Sequence, residues 1–248
     1  METQTPYNYP AFSFALEAQE YERWLQAGPR TGQQAPDFDL TDVDGESVRL
    51  RDLRGRPVVI EFGSYTCPVF SDRVPAMERL AREHLEAAFL VIAVREAHPG
   101  ELTPQHTTDV EKRAAARRLA MEESLQRRVL VDDIDGTVNR SYGAAWDAVY
   151  VLDADGRIAF RRAWNDPDEV AAALHALSSA SSPPAGETVE MAQLPSTQPI
   201  GLRLLERGGQ RALLDFYLSA PPPVRRRLED SPSAAVRAAL RAELKDDA

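Results

Sequence analysis

Three short apolar runs constrain this chain most: PVVIEFG at 57–63, AFLVIAV at 88–94 and RVLVD at 128–132. The first is too continuously apolar for a strand at the edge of a sheet, and the second reads the same way. Helical spacing fills the intervals. After the first run, Phe70, Val74, Met77, Ala81 and Leu85 recur every three or four residues. Pro68 precedes them and suits the first turn of a helix, because its missing N–H has no partner there. Pro75 falls inside the same helix and is expected to kink it. A polar loop over 95–108 then leads into an alanine- and arginine-rich helix over 110–125.

Hairpins flank this core. Phe38 and Leu40 alternate before Asp44-Gly45, with Val48 and Leu50 alternating after it, and AVYVLDADGRIAFRRA turns at Asp155-Gly156. Short helices are expected over 16–25, ended by Gly28-Pro29, over 135–142, closed by Gly143, and over 167–177. The order predicts an α/β domain around a central mixed sheet. From Ser178 the composition shifts to SSASSPPAGETVE, a linker. Beyond it, 200–218 and 223–244 read as helices, with Gly208-Gly209 and the PPP at 221–223 as punctuation. The expected division is a helical lead-in at 1–34, a domain at 35–178, a linker at 179–198 and a helical extension at 199–248. No internal repeat is present.

Bulk properties exclude several classes of partner. Hydrophobic residues make up 43% of the 248 and charged residues 27%, an ordinary globular balance. The net charge of −10 repels phosphate backbones and anionic lipid, so neither nucleic acid nor a membrane surface is expected as a partner. No stretch approaches the roughly 18 apolar residues of a membrane span. The first residues lack a basic start followed by an apolar run, so no signal peptide is expected. The single cysteine excludes an intramolecular disulfide and a four-cysteine metal site, and points to a reducing cytoplasm.

That cysteine carries the chemistry. IEFGSYTCPVF sets Cys67 just after a buried strand and just before a helix. Free N–H groups and the dipole at a helix N-terminus favour a thiolate, so a lowered thiol pKa is expected, with Ser64 and Thr66 donating to the sulfur. The alternative is an inert buried thiol.

Residues 35–177 resemble the redoxin branch of the thioredoxin superfamily. Within them FGSYTCPVF is similar to the active-site segment of the iodothyronine deiodinases, in which selenocysteine stands at the place of Cys67. REAHPG at 95–100, PQH at 104–106 and the stretch 131–160 match further family segments in the same order. The resemblance implies a thioredoxin-like fold, a central mixed β-sheet flanked by helices, here with a C-terminal helical extension. It implies that Cys67 attacks a halogen or another electrophile, inside a proton-delivery network of Ser64, Thr66, Glu96, His98 and His106. No cofactor is implied. Reductive dehalogenation needs a soft nucleophile for the halogen and an acid for the carbon left behind, and histidine can supply that proton near neutrality. Loop histidines on their own are usually exposed, and it is the resemblance that brings His98 and His106 to the site.

The chain also departs from its relatives. Tyr65 stands where some family members carry a second cysteine, Phe70 where a thioredoxin has its second active-site cysteine, and Ala148 where thioredoxins place a cis-proline. Ser64 and Ile60 break the peroxiredoxin pattern. With no resolving cysteine, an external thiol, either a small thiol or a thioredoxin-like protein, must reset the enzyme. His84 and His175 read as structural or exposed, and a Cys/His/His/Glu metal site fits no standard zinc spacing. Three functions follow: a deiodinase-like reductase acting on a halogenated aromatic or related small electrophile, a one-cysteine thiol peroxidase, or a non-catalytic scaffold. The C-terminal helices are expected to pack on their own domain or on a second copy in a homodimer. Arg225, Arg226 and Arg227 are expected on a solvated face.

Overall fold

A computed structural model describes residues 7–143, 145–179 and 200–243 of the protein. The linker expected at 179–198 lies almost wholly outside the described residues.

The chain opens with α1 (Phe14–Ala27), capped by Ser13, whose hydroxyl accepts the Leu16 N–H, and ended at Gly28. The first hairpin follows as β1 (Asp39–Asp42) and β2 (Ser47–Arg49), and leads into a 3-10 turn at Leu50–Leu53. Next come β3 (Val58–Gly63), α2 (Pro68–Glu83), β4 (Ala88–Ala93), α3 (Asp109–Glu122) and β5 (Arg128–Val131). A short α4 (Thr137–Ser141), the hairpin β6 (Val149–Leu152) and β7 (Ile158–Arg162), and α5 (Pro167–Ser179) complete the α/β body.

The seven strands form one sheet in the order β2-β1-β5-β4-β3-β6-β7. β3, β4 and β5 run parallel, with Val58 to Gly63 in register with Ala88 to Ala93, while the outer strands pair antiparallel. This is the mixed sheet of a thioredoxin-like fold. β3 and β4 are buried along their whole length, as their unbroken apolar sequence requires. Successive side chains alternate faces. Val59, Val149 and Val151 pack with Met77 and Leu80 of α2 and Val170 and Leu174 of α5. Ile60, Phe62, Leu90 and Ile92 join the larger core with Trp24 and Leu119 on the other face. Each fully buried side chain of this size is worth about 1.5–3 kcal/mol.

The helix α2 continues through Pro75. Val74, Met77 and Leu80 are packed against the sheet, and that burial outweighs one missing hydrogen bond. The C-terminal extension forms four helices, α6 (Ile200–Arg207), α7 (Gln210–Ser219), α8 (Pro222–Glu229) and α9 (Ala234–Glu243). Gly208-Gly209 and Pro221 punctuate it as the sequence indicates, and a further break falls before Ala234. Among the described residues no helix is long and apolar enough to cross a membrane.

Candidate active site

The end of β3 makes the site possible. A Cβ on Gly63 would lie 2.2 Å from the Phe70 ring, so only glycine lets the strand pass under the first turn of α2. The chain then turns tightly, with the Cys67 N–H donating to the Ser64 carbonyl at 3.2 Å. Cys67 is the N-cap of α2, with Pro68 at the first helical position. Its sulfur accepts the Phe70 N–H at 3.5 Å.

The expected lowering of the thiol pKa does not occur. Cys67 is only 3% exposed, and that burial pushes its pKa up, reinforced by the charge of Asp147 and more weakly of Glu96. The Phe70 and Val69 N–H groups pull the other way and are outweighed. In this arrangement Cys67 is a protonated thiol. Ser64 and Thr66 do not donate to the sulfur either. Ser64 Oγ accepts the Ala97 N–H at 3.1 Å, while Thr66 Oγ1 donates to Glu96 Oε2 at 2.6 Å and accepts the His98 N–H at 3.0 Å. Both hydroxyls lace the cysteine turn to the loop after β4.

Glu96 is the centre of that lacing. Its Oε2 also accepts the Thr66 N–H at 2.7 Å, and its Oε1 lies 3.2 Å from His106 Nε2. Burial alone would raise this carboxyl, yet His106 and the two Thr66 donors hold it below the usual carboxylate range. Gln105 fixes the same loop, accepting the Glu96 N–H at 2.9 Å. His98 lies against the ring of Phe12 at 4.2 Å and that of Phe216 at 5.5 Å. Its Nδ1 has no partner among the described residues, and burial pushes its pKa down to about 3. The structure thus brings Ser64, Thr66, Cys67, Glu96, His98 and His106 together. The loop at 95–108, polar in sequence, is buried at all six of residues 95–100. His84 sits elsewhere, 2.9 Å from Glu86 and 6.2 Å ring to ring from His175.

A family model for iodothyronine deiodinase matches residues 2–169. The chain belongs to the iodothyronine deiodinase family. Thyroxine 5-deiodinase of Sparus aurata is 31% identical over 143 residues, covering 52% of this chain and 53% of that protein. Type II iodothyronine deiodinase of Bos taurus is 35% identical over 127 residues, covering 44% and 47%. The chain therefore spans about half the length of these curated relatives. The thiol-disulfide oxidoreductase ResA of Halalkalibacterium halodurans is 41% identical over 80 residues, covering 32% of this chain and 45% of that protein. Among solved structures, an uncharacterized conserved protein from Geobacillus kaustophilus is similar with a TM-score of 0.52 and 25% identity, covering 62% of this chain and 85% of that one. The deiodinase match holds all six site residues and stops short of α6–α9.

Three charged residues escape a motif-based reading of this deiodinase relative. Glu61 sits mid-strand in β3, joined to Arg127 and Asn165, while Arg127 also reaches Glu78 of α2 at 2.9 Å. Asp147, just before β6, is fully buried, with only the charge of Arg73 and the Asn165 N–H, among the described residues, to offset its desolvation. Burial, then the charge of Glu61, pushes it well above the ordinary carboxylate range. A carboxylate inside PVVIEFG, and another inside AAWDAVYVL, are signals that a search for buried charge could have used. Arg207, from α6, donates to the Tyr65 carbonyl at 2.8 Å and to Ser71 Oγ at 3.0 Å. Nothing in its local sequence marks it. A cleft of about 460 Å³, lined in part by Tyr9, Gln105, His106 and Arg211, opens beside His106.

Proposed function

We propose that this chain is a thiol-dependent reductive dehalogenase of iodinated or otherwise halogenated aromatic molecules, with Cys67 as the nucleophile. The observation that carries the reading is the placement of Cys67 at the helix N-cap, next to a threonine whose N–H and hydroxyl both bind the ionised Glu96. Glu96 in turn holds His106. Family membership gives that arrangement its direction.

In the first step the Cys67 sulfur attacks the halogen. The carbon–halogen bond breaks, a sulfur–halogen bond forms, and the thiol proton passes by way of the His106–Glu96 pair to the ring carbon. Sulfur is oxidised and carbon reduced, so thiol and aryl halide become sulfenyl halide and arene. An external thiol then displaces halide as its acid and leaves a mixed disulfide. A second external thiol releases Cys67 as the free thiol and departs as the disulfide. The likeness to a thiol-disulfide oxidoreductase supports a thiol reductant as the partner in this half. In this reading His106 is the histidine that transfers the proton. His98, kept neutral by its apolar surroundings, serves to shape the site.

Iodide release from an iodinated phenol, with dithiothreitol in excess, tests the reading. Wild type should turn over, Cys67→Ser should be inactive, and His106→Asn should lose about 10²-fold or more in kcat/KM. Glu96→Gln should fall between the wild type and Cys67→Ser. Peroxide-dependent thiol oxidation without iodide release would replace this reading with that of a one-cysteine peroxidase.

A further inference from the structure

We propose that α6–α9 form a cover over Cys67 that must lift for the thiol to react, with Arg207 and Glu101 as its two latches. A thiol that meets both an electrophile and a reductant needs a path to solvent. Cys67, Glu96, His98 and His106 are almost wholly buried, at 3%, 1%, 6% and 7% exposed.

The helices that pack on His98 through Phe216, and on the residues either side of Cys67 through Arg207, form one closely packed unit. A Cβ on Gly201 of α6 would meet Leu228 of α8 at 2.8 Å, Val236 of α9 at 3.2 Å and Leu213 of α7 at 3.4 Å, so the four helices pack closely on one another. Leu204, Leu213, Val236 and Leu240 are buried between them, in apolar packing continuous with the core of the body. The unit meets the body along α2 and α1 and along the loop at 98–103.

Two polar clamps hold it there. The Arg207 guanidinium donates to the Tyr65 carbonyl and Ser71 Oγ, which lie on either side of Cys67 in sequence. It also stacks over the Tyr65 ring at 4.5 Å and pairs with Glu123 after α3. On the other side, the Glu101 carboxylate accepts the N–H groups of Gln210 at 2.5 Å and Arg211 at 2.9 Å, the first turn of α7. Backbones touch between the clamps. The Leu102 N–H donates to the Gly208 carbonyl at 3.1 Å, and a Cβ on Gly100 would fall 2.2 Å from that same oxygen. The cleft beside His106, lined by Glu101 and Arg211, lies along this seam. Local opening of such a unit, apart from global unfolding, is the ordinary behaviour of an active-site lid.

Alkylation of Cys67 by iodoacetamide under native conditions, across a series of low urea concentrations, reads the opening directly. It reads access whatever the electrophile, so failure of the dehalogenase assay leaves this inference standing. Wild type should react at least about 10²-fold more slowly than the unfolded chain, at a rate nearly flat in low urea. Arg207→Ala removes one latch, Glu101→Gln weakens the other, and Gly100→Ala drives a wedge into the seam against Gly208 and Ala212. Each should raise the native rate about tenfold or more while the low-urea rate stays flat. The inference is overturned if wild-type alkylation follows urea with the full slope of global unfolding. It is overturned equally if Glu101→Gln and Gly100→Ala both react at the wild-type rate.

Discussion

The His98 imidazole, pressed between Phe12 and Phe216, ties the stability of the fold to pH. Its pKa is about 3 in the folded chain, against about 6.5 when unfolded. Between those values the unfolded chain binds the extra proton, so stability is complete above pH 6.5 and declines as pH falls toward 3. The decline from this one group is at most about 1.4 kcal/mol per pH unit. Urea unfolding at pH 7, 6 and 5 should show the wild type losing stability faster than His98→Gln over the same interval. Equal slopes would mean that the imidazole takes up its proton inside the fold. At this scale the strand–Cys–Pro–helix setting pointed to Cys67, and the resemblance of short segments made Thr66, Glu96 and His106 site candidates. The protonation of Cys67 was not. It is decided by groups distant in sequence that exclude water, while the helix terminus that sequence does reveal pulls the other way and loses.

Arg127 shows how secondary elements are held in place beneath the site. It precedes β5, pairs with Glu61 of β3 and Glu78 of α2, and is almost wholly buried. Asn165, beyond β7, binds the same Glu61, and its carbonyl accepts Arg73 of α2 at 2.7 Å. Removing one member of a buried ion cluster strands the others in a medium that solvates charge poorly. Arg127→Met should therefore cost about 3–5 kcal/mol in urea unfolding, with much of the loss regained when Glu61→Gln and Glu78→Gln are added. A cost under about 1 kcal/mol would show that water reaches the cluster. The strands themselves were plain in the sequence, since continuous apolar runs have few other fates. Helix limits were less so. A single helix was expected over 223–244, yet Asp230-Ser231-Pro232-Ser233 ends α8 and opens α9, a turn signal that an amphipathic reading of the whole stretch passes over.

In the whole molecule, two segments about 200 residues apart meet over one buried site. Phe12 stacks on Phe216 with ring centres 5.6 Å apart, Phe14 lies 4.9 Å from Phe216, and the Phe14 N–H donates to Ser219 Oγ at 3.4 Å. Phe12 also packs on His98, and Tyr9 donates to the Ala97 carbonyl at 2.9 Å. The N-terminal segment and α7 are thus two halves of one apolar roof, a contact that no local pattern in either segment predicts. If they act together, their energies must couple. Phe216→Ala should cost about 3–5 kcal/mol as a large-to-small change at a buried position. A double-mutant cycle with Phe12→Ala should give a coupling of about 0.5–1.5 kcal/mol, the range of stacked aromatic pairs. The same cycle read by iodoacetamide separates roof from foundation. Coupling in the native alkylation rate, at urea concentrations too low for global unfolding, places the shared contact in the barrier between solvent and Cys67. Coupling in stability alone would make the two rings ordinary core, and would move the barrier to the polar clamps at Arg207 and Glu101.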